Sequence, residues 1–123
     1  MKIAIIGGGA AAFFAAINTK ENFPDSEVFL FEKTTKLLSK VLVSGGGRCN
    51  VTNSETSISS FSKCYPRGEK QLKKLFGTFN NQNTINWFES RGVELVAEQD
   101  GRMFPKSNTS QTIYDLFVSE SER

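Results

Sequence analysis

A chain of 123 residues has room for one domain. Fifteen Lys and Arg against thirteen Asp and Glu leave a net charge of +2, too balanced to argue for a nucleic-acid or acidic partner. No histidine is present to serve as the usual general base or metal ligand, and two cysteines, Cys49 and Cys64, do not make a zinc set, so no metal site is expected.

The opening stretch, MKIAIIGGGAAAFFAAI, has the outline of a signal peptide: one Lys, apolar and small residues, and an A-x-A at residues 10–12. Glycines interrupt its apolar run, however, and the period changes from strand-like to helix-like across them, so the signal reading is rejected. No apolar run is long enough to span a membrane, and nothing points to an oxidising compartment. The expected location is the cytoplasm, with no membrane partner.

Residues 2–6 (KIAII) are nearly all apolar and β-branched, which predicts a strand buried on both faces. Gly7, Gly8 and Gly9 break it. Residues 10–20 then predict a helix, alanine-rich, with Phe13, Phe14 and Ile17 at helical spacing. NFPD (residues 22–25) is a turn, and residues 27–31 (EVFLF) predict a second apolar strand. A right-handed crossover makes the two strands parallel.

Residues 36–43 predict a short helix before a second glycine cluster, and residues 54–62 a Ser/Thr-rich loop. Two helices are predicted over 69–79 and 84–91, the second with Asn83 as N-cap and Gly92 as stop. Residues 93–98 and 102–104, joined through Asp100-Gly101, predict a hairpin. A last helix starts at about Ser110 with Ile113, Leu116 and Phe117 on one face. Ile85, Trp87 and Phe88 read as core. Arg67, Lys70, Lys73 and Lys74 share a helix face and read as a solvated face rather than an RNA surface. Glu98 and Asp100 have no neighbours that suggest acid–base work.

The first glycine cluster carries the clearest chemistry. Gly7-Gly8-Gly9-Ala10-Ala11-Ala12 fits G-x-G-x-x-A between a strand and a helix. Gly7 makes the tight turn, Gly9 lets a pyrophosphate approach the backbone, and Ala12 keeps the helix against the sheet. The helix N-terminus then faces the phosphates with unpaired N–H groups and a positive dipole end. Glu32 ends the second strand, where its carboxylate can accept both ribose hydroxyls of an adenosine and repel a 2′-phosphate, which argues against NADP at this site. FAD and NAD both use this fingerprint.

The second cluster is SGGGRCNVTN, residues 44–53. Gly45, Gly46 and Gly47 can form a concave run of backbone N–H groups, Arg48 adds a bidentate fork for phosphate, and Asn50 can donate and accept at a ring edge. Lys40 can reach the same region. Cys49 reads as a small residue packed beside a ligand rather than as a redox partner. Two glycine-lined surfaces can grip one long ligand at two places, and a dinucleotide is such a ligand.

SGGGRCNVTN, GGGAAA and GRMFP (residues 101–105) together resemble the BaiN-like, or YhiN-type, NAD(P)/FAD-dependent oxidoreductases. The resemblance runs in order along nearly the whole chain. It implies FAD as cofactor, with NAD(P)H as a possible electron donor, and a site carried by Gly7, Gly9, Ala10, Ala11, Glu32, Lys33, Lys40, Gly45, Gly46, Gly47, Arg48 and Asn50. The family has Gly where Ala12 stands, and often Gly-Arg where Leu38-Ser39 precede Lys40. The fold class implied is α/β, an incomplete Rossmann-like FAD-binding domain: a βαβ start, a helical excursion, a β-hairpin and a final helix. Family members are several times longer, so residues 1–123 are expected to be the N-terminal part of such a domain. The remainder, and a substrate-side domain, would belong to the missing C-terminal part of the same protein. Neither catalytic residues nor the small-molecule substrate can be read from the chain. The alternatives are a non-catalytic nucleotide-binding fragment and the NAD-binding domain of a dehydrogenase.

Overall fold

A computed structural model describes residues 1–123. In chain order its elements are β1 (Lys2–Ile6), α1 (Ala10–Asn22), β2 (Glu27–Phe31), α2 (Ser39–Gly47), β3 (Thr52–Asn53), α3 (Ile58–Lys63), α4 (Glu69–Leu75), α5 (Asn81–Glu89), β4 (Leu95–Ala97), β5 (Arg102–Pro105) and α6 (Gln111–Ser121). They form two units, one of residues 1–49 and 109–123, the other of residues 50–108.

In the first unit β1 and β2 pair in parallel, Lys2 opposite Glu27 and Ile6 opposite Phe31, as the crossover rule requires. The Lys20 ammonium closes the turn between α1 and β2 by donating to the carbonyls of Pro24 and Ser26. Phe13, Ala16 and Ile17 of α1 are buried, as are Ile113, Leu116 and Phe117 of α6, and the Phe13 and Phe117 rings meet at 6.0 Å. Burying a side chain of this size contributes roughly 1.5–3 kcal/mol.

The expectation of strands buried on both faces is corrected. Ile3, Ile5, Val28 and Leu30 are half-buried, while Ala4, Ile6, Phe29 and Phe31 on the opposite face are exposed. Within this unit only one side of the pair carries a helix, so the second apolar face stays open. Ile6 is 81% exposed and Phe31 54%.

In the second unit β3, β5 and β4 form an antiparallel sheet in that order. β3 went unpredicted because two residues carry no period. The predicted loop over 54–62 instead ends in helix α3, whose N-cap Ser57 accepts from the Ser60 N–H. Asn83 is not the cap of α5. Asn80 is, and Asn83 sits at the third helical position, its side chain returning to the Asn80 N–H in a reciprocal capping box. The core expected of Ile85, Trp87 and Phe88 is observed. α4 is shorter than predicted, ending at Leu75.

Candidate functional site

The three glycines of the first cluster stand in three different settings. Gly7 holds φ +111°, a backbone that side chains rarely adopt. A β-carbon on Gly8 would lie 2.8 Å from Leu37 Cδ2 and 3.0 Å from Glu32 Cβ and Cγ. Gly9 is the N-cap of α1, supplies no side-chain cap, and has open space where its β-carbon would be. Spacing along the sequence assigns work to Gly7 and Gly9; the structure adds Gly8 as the position most tightly covered.

What covers Gly8 is Glu32. Its carboxylate accepts from the Gly8 N–H at 2.8 Å and from the Thr34 N–H at 2.9 Å. The hydrogen bonds from Thr34 and then Gly8 hold the Glu32 carboxyl below the usual carboxylate range. An ionised carboxylate has about four acceptor sites. Two are taken by backbone, which leaves acceptor capacity for a pair of ligand hydroxyls. From the same residue, the Gly8 carbonyl accepts from the Leu38 N–H at 2.8 Å. Leu38 is buried and stands at φ +52°, in the left-handed region, at the position where the resemblance sets Gly.

Gly8, Gly9, Ala10, Ala11, Glu32 and Lys40 line one cavity of about 440 Å³. Lys36, Leu38, Ser39 and Val41 complete it. Lys36 escaped the sequence reading, which favoured Lys33; Lys33 is exposed and does not line the cavity. Nothing in the pattern separated them, since both lie in the short segment after β2. Gly7 and Ala12 flank the lining without joining it.

The second cluster is a left-handed turn. Ser44 leaves the helical conformation, and Gly45, Gly46 and Gly47 follow at φ +55°, +68° and +85°. Only glycine adopts such a run without strain. The N–H groups of Arg48 and Cys49 both donate to the Ser44 carbonyl, so these two amides close the turn on itself. Ser110, buried at the head of α6, pins the cluster: its N–H donates to the Gly47 carbonyl and its hydroxyl to the Leu42 carbonyl, each at 2.9 Å. Sequence reading placed Ser110 at a helix start and gave no sign of this tie. Arg48 is half-buried and Asn50 is exposed. Cys49 is buried at φ +60°, and burial pushes its thiol up, which favours the unreactive form. Cys64 is free and exposed at the end of α3. No helix is long and apolar enough to cross a membrane.

Comparison with known proteins gives the chain a family. The family model described as the HI0933-like protein Rossmann domain matches residues 1–123. The 3-dehydro-bile acid delta(4,6)-reductase of Clostridium scindens is 31% identical over 122 residues, 99% of this chain and 29% of the relative. The ribosomal RNA dihydrouridine synthases of Haemophilus influenzae and Escherichia coli are 28% and 29% identical over 119 residues, 97% of this chain and 28% of each relative. The chain thus spans under a third of the length of the curated relatives it matches.

Proposed function

The chain belongs to the HI0933-like Rossmann-domain family, and on that premise we propose that it is the FAD-binding portion of a flavin-dependent oxidoreductase. The observation that carries this reading is the Glu32 carboxylate, folded back onto the Gly8 N–H beside a cavity walled by Gly8, Gly9, Ala10 and Ala11. The residues fit the group. Open space at Gly9 suits close approach of a pyrophosphate to the α1 N-terminus, where the N–H groups of Ala10 and Ala11 come before the first bonds of the helix, those from Ala12 and Phe13 to the Gly9 carbonyl. The remaining acceptor sites of Glu32 suit a ribose diol. Lys36 and Lys40 line the same cavity and offset pyrophosphate charge, while Gly45, Gly46, Gly47 and Arg48 would hold a second part of the cofactor. Lys33 would act from outside the cavity, and Cys49 would pack beside the ligand as a neutral thiol.

FAD, when bound, supplies hydride transfer; the protein supplies binding and orientation. The relatives' names indicate reduction of carbon–carbon double bonds, in a bile acid and in a ribosomal RNA uridine. We propose the same reaction class here, two electrons and two protons added across such a bond, with NAD(P)H as donor. Further residues, in a protein of the relatives' length, would complete the flavin's surroundings. A cytoplasmic location belongs to the same proposal.

The test is flavin retention. Glu32→Ala and Arg48→Ala are made in a protein of the relatives' length and purified beside its unaltered form, and bound FAD is read from its absorbance. Loss of flavin with an unchanged circular dichroism spectrum supports the assignment. Undiminished yellow colour in the Glu32 variant counts against it.

A further inference from the structure

Residues 32–38 form a loop fastened at both ends to one residue. At its start the Glu32 carboxylate accepts from the Gly8 N–H at 2.8 Å, and at its end the Leu38 N–H donates to the Gly8 carbonyl at 2.8 Å. Just before it, the Gly7 N–H donates to the Phe31 carbonyl at 2.7 Å. Leu37, half-buried, lies over Gly8: a β-carbon there would sit 2.8 Å from the Leu37 Cδ2.

Between these ties the loop is braced by Thr34. Its N–H donates to Glu32 Oε1 at 2.9 Å, and its hydroxyl oxygen accepts from the Lys36 N–H at 3.3 Å. The carboxylate is therefore held from two sides, Oε2 by Gly8 and Oε1 by Thr34. The second hold depends on the shape of a turn that the Thr34 hydroxyl closes. Thr34 is exposed and does not line the cavity, whereas Glu32 and Lys36 do. A residue that touches no ligand can still set affinity, because a carboxylate already fixed in its bound position loses less freedom on binding. The chemistry carried by the loop also selects a ligand. A fixed carboxylate suits a ribose diol, and the ammonium groups of Lys36 and Lys40 in the same cavity suit phosphates.

Resting on the cofactor reading above, we propose that Thr34 is a positioning residue for the ribose in the adenosine diphosphate (ADP) half of the ligand. Through the turn from Thr34 to Lys36 it fixes the Glu32 carboxylate for the diol, and it carries Lys36 to the diphosphate. Loss of its hydroxyl costs selection for the ribose rather than the fold.

The experiment uses a protein of the relatives' length. Flavin is read in the preparation as purified and then removed, and ADP and 2′-deoxy-ADP are titrated calorimetrically. The unaltered protein is expected to bind ADP at least about tenfold more tightly than 2′-deoxy-ADP, the worth of one hydrogen bond to a charged acceptor. Thr34→Val keeps the β-branched shape and removes the hydroxyl. It should weaken ADP more than 2′-deoxy-ADP and bring their ratio to about threefold or less. Thr34→Ser returns the hydroxyl and should return the ratio. Lys36→Ala should weaken both nucleotides alike, keep their ratio and lower the salt dependence of binding. Equal weakening of both nucleotides by Thr34→Val, or a ratio that Thr34→Ser fails to restore, makes Thr34 merely structural and overturns the proposal. Flavin retained with a ratio that Thr34→Val leaves alone defeats the role of Thr34 and not the cofactor reading. A ratio that falls as expected in preparations that hold no flavin defeats the cofactor reading and not the role of Thr34.

Discussion

Gly101 lies directly beneath the side chain of Asn53: a β-carbon on it would sit 2.9 Å from Asn53 Oδ1 and 3.1 Å from Nδ2. The two residues come from different motifs, SGGGRCNVTN and GRMFP, which look independent along the chain. In the second unit they are neighbours. Asn53 pairs with Arg102 across β3 and β5, the Ser54 N–H donates to the Gly101 carbonyl, and buried Asn81 donates to the carbonyls of Asn53 and Glu55. Part of what marks this family in sequence is therefore a structural joint rather than a ligand contact.

Gly101→Ala tests that joint. Gly101 stands at φ +84°, so the substitution carries a left-handed backbone penalty of about 1–2 kcal/mol as well as the clash. The expected outcome is a lower urea midpoint with an unchanged slope. Adding Asn53→Ala removes the clash but not the backbone penalty, so the double variant should lose less than the sum of the singles. Strict additivity would show that the two side chains do not collide.

Leu38→Gly sets two effects against each other. Removing a fully buried leucine costs about 2–5 kcal/mol, whereas releasing a left-handed non-glycine residue returns about 1–2. Leu38 is 1% exposed, so burial should win and the variant should be less stable. Its loss should nevertheless be smaller than that of Leu116→Ala on α6, where no strain is released. Chemical denaturation of both variants decides, and an equal or larger loss at Leu38 contradicts the strain.

How much was legible follows period and length. β1, β2 and the α1 start were readable because each is a long apolar or periodic run bounded by glycine or a turn. β3 was not, being two residues held only by pairing with β5. Asn83 was misread as a cap because Asn80 and Asn83 act as a reciprocal pair, and either alone fits a cap pattern. In the candidate site, spacing pointed to the glycine turn and to a carboxylate at the end of β2, and the fold brings Glu32 onto the Gly8 N–H. The cover over Gly8, the place of Lys36 in the cavity lining and the Ser110 anchor depend on chain paths that no local pattern encodes.

Glu32 also sets a pH dependence. Its hydrogen bonds from Thr34 and Gly8 lower its carboxyl in the folded protein relative to an ordinary value of 4.5. The contribution is thus fully present above that value and is lost as pH falls through the lower folded value. Stability measured by thermal unfolding should stay level for this group from neutral pH down to about its ordinary value and decline below it. Glu32→Gln should flatten that acid limb. An acid limb identical to the unaltered protein's would place the titration on other carboxylates.

The open face of β1 and β2 should be detectable in solution. Ile6, Phe29 and Phe31 are exposed side by side, the two Phe rings 6.4 Å apart, on a sheet of only two strands. A two-stranded sheet is marginal in water, and a contiguous apolar face of this kind promotes association. The 123-residue chain should bind an apolar dye such as ANS and sediment faster as its concentration rises. Phe29→Thr with Phe31→Thr keeps β-branched strand formers and removes both rings, so dye binding and association should fall together. The glycine turn and Glu32 lie at the C-terminal end of these strands, and Gly7 itself donates to the Phe31 carbonyl. A loosely held strand pair should therefore also loosen the site: FAD titrated calorimetrically into the monomeric chain should bind more weakly than micromolar. Submicromolar binding with no dye uptake would sink the idea that this face leaves the site under-supported.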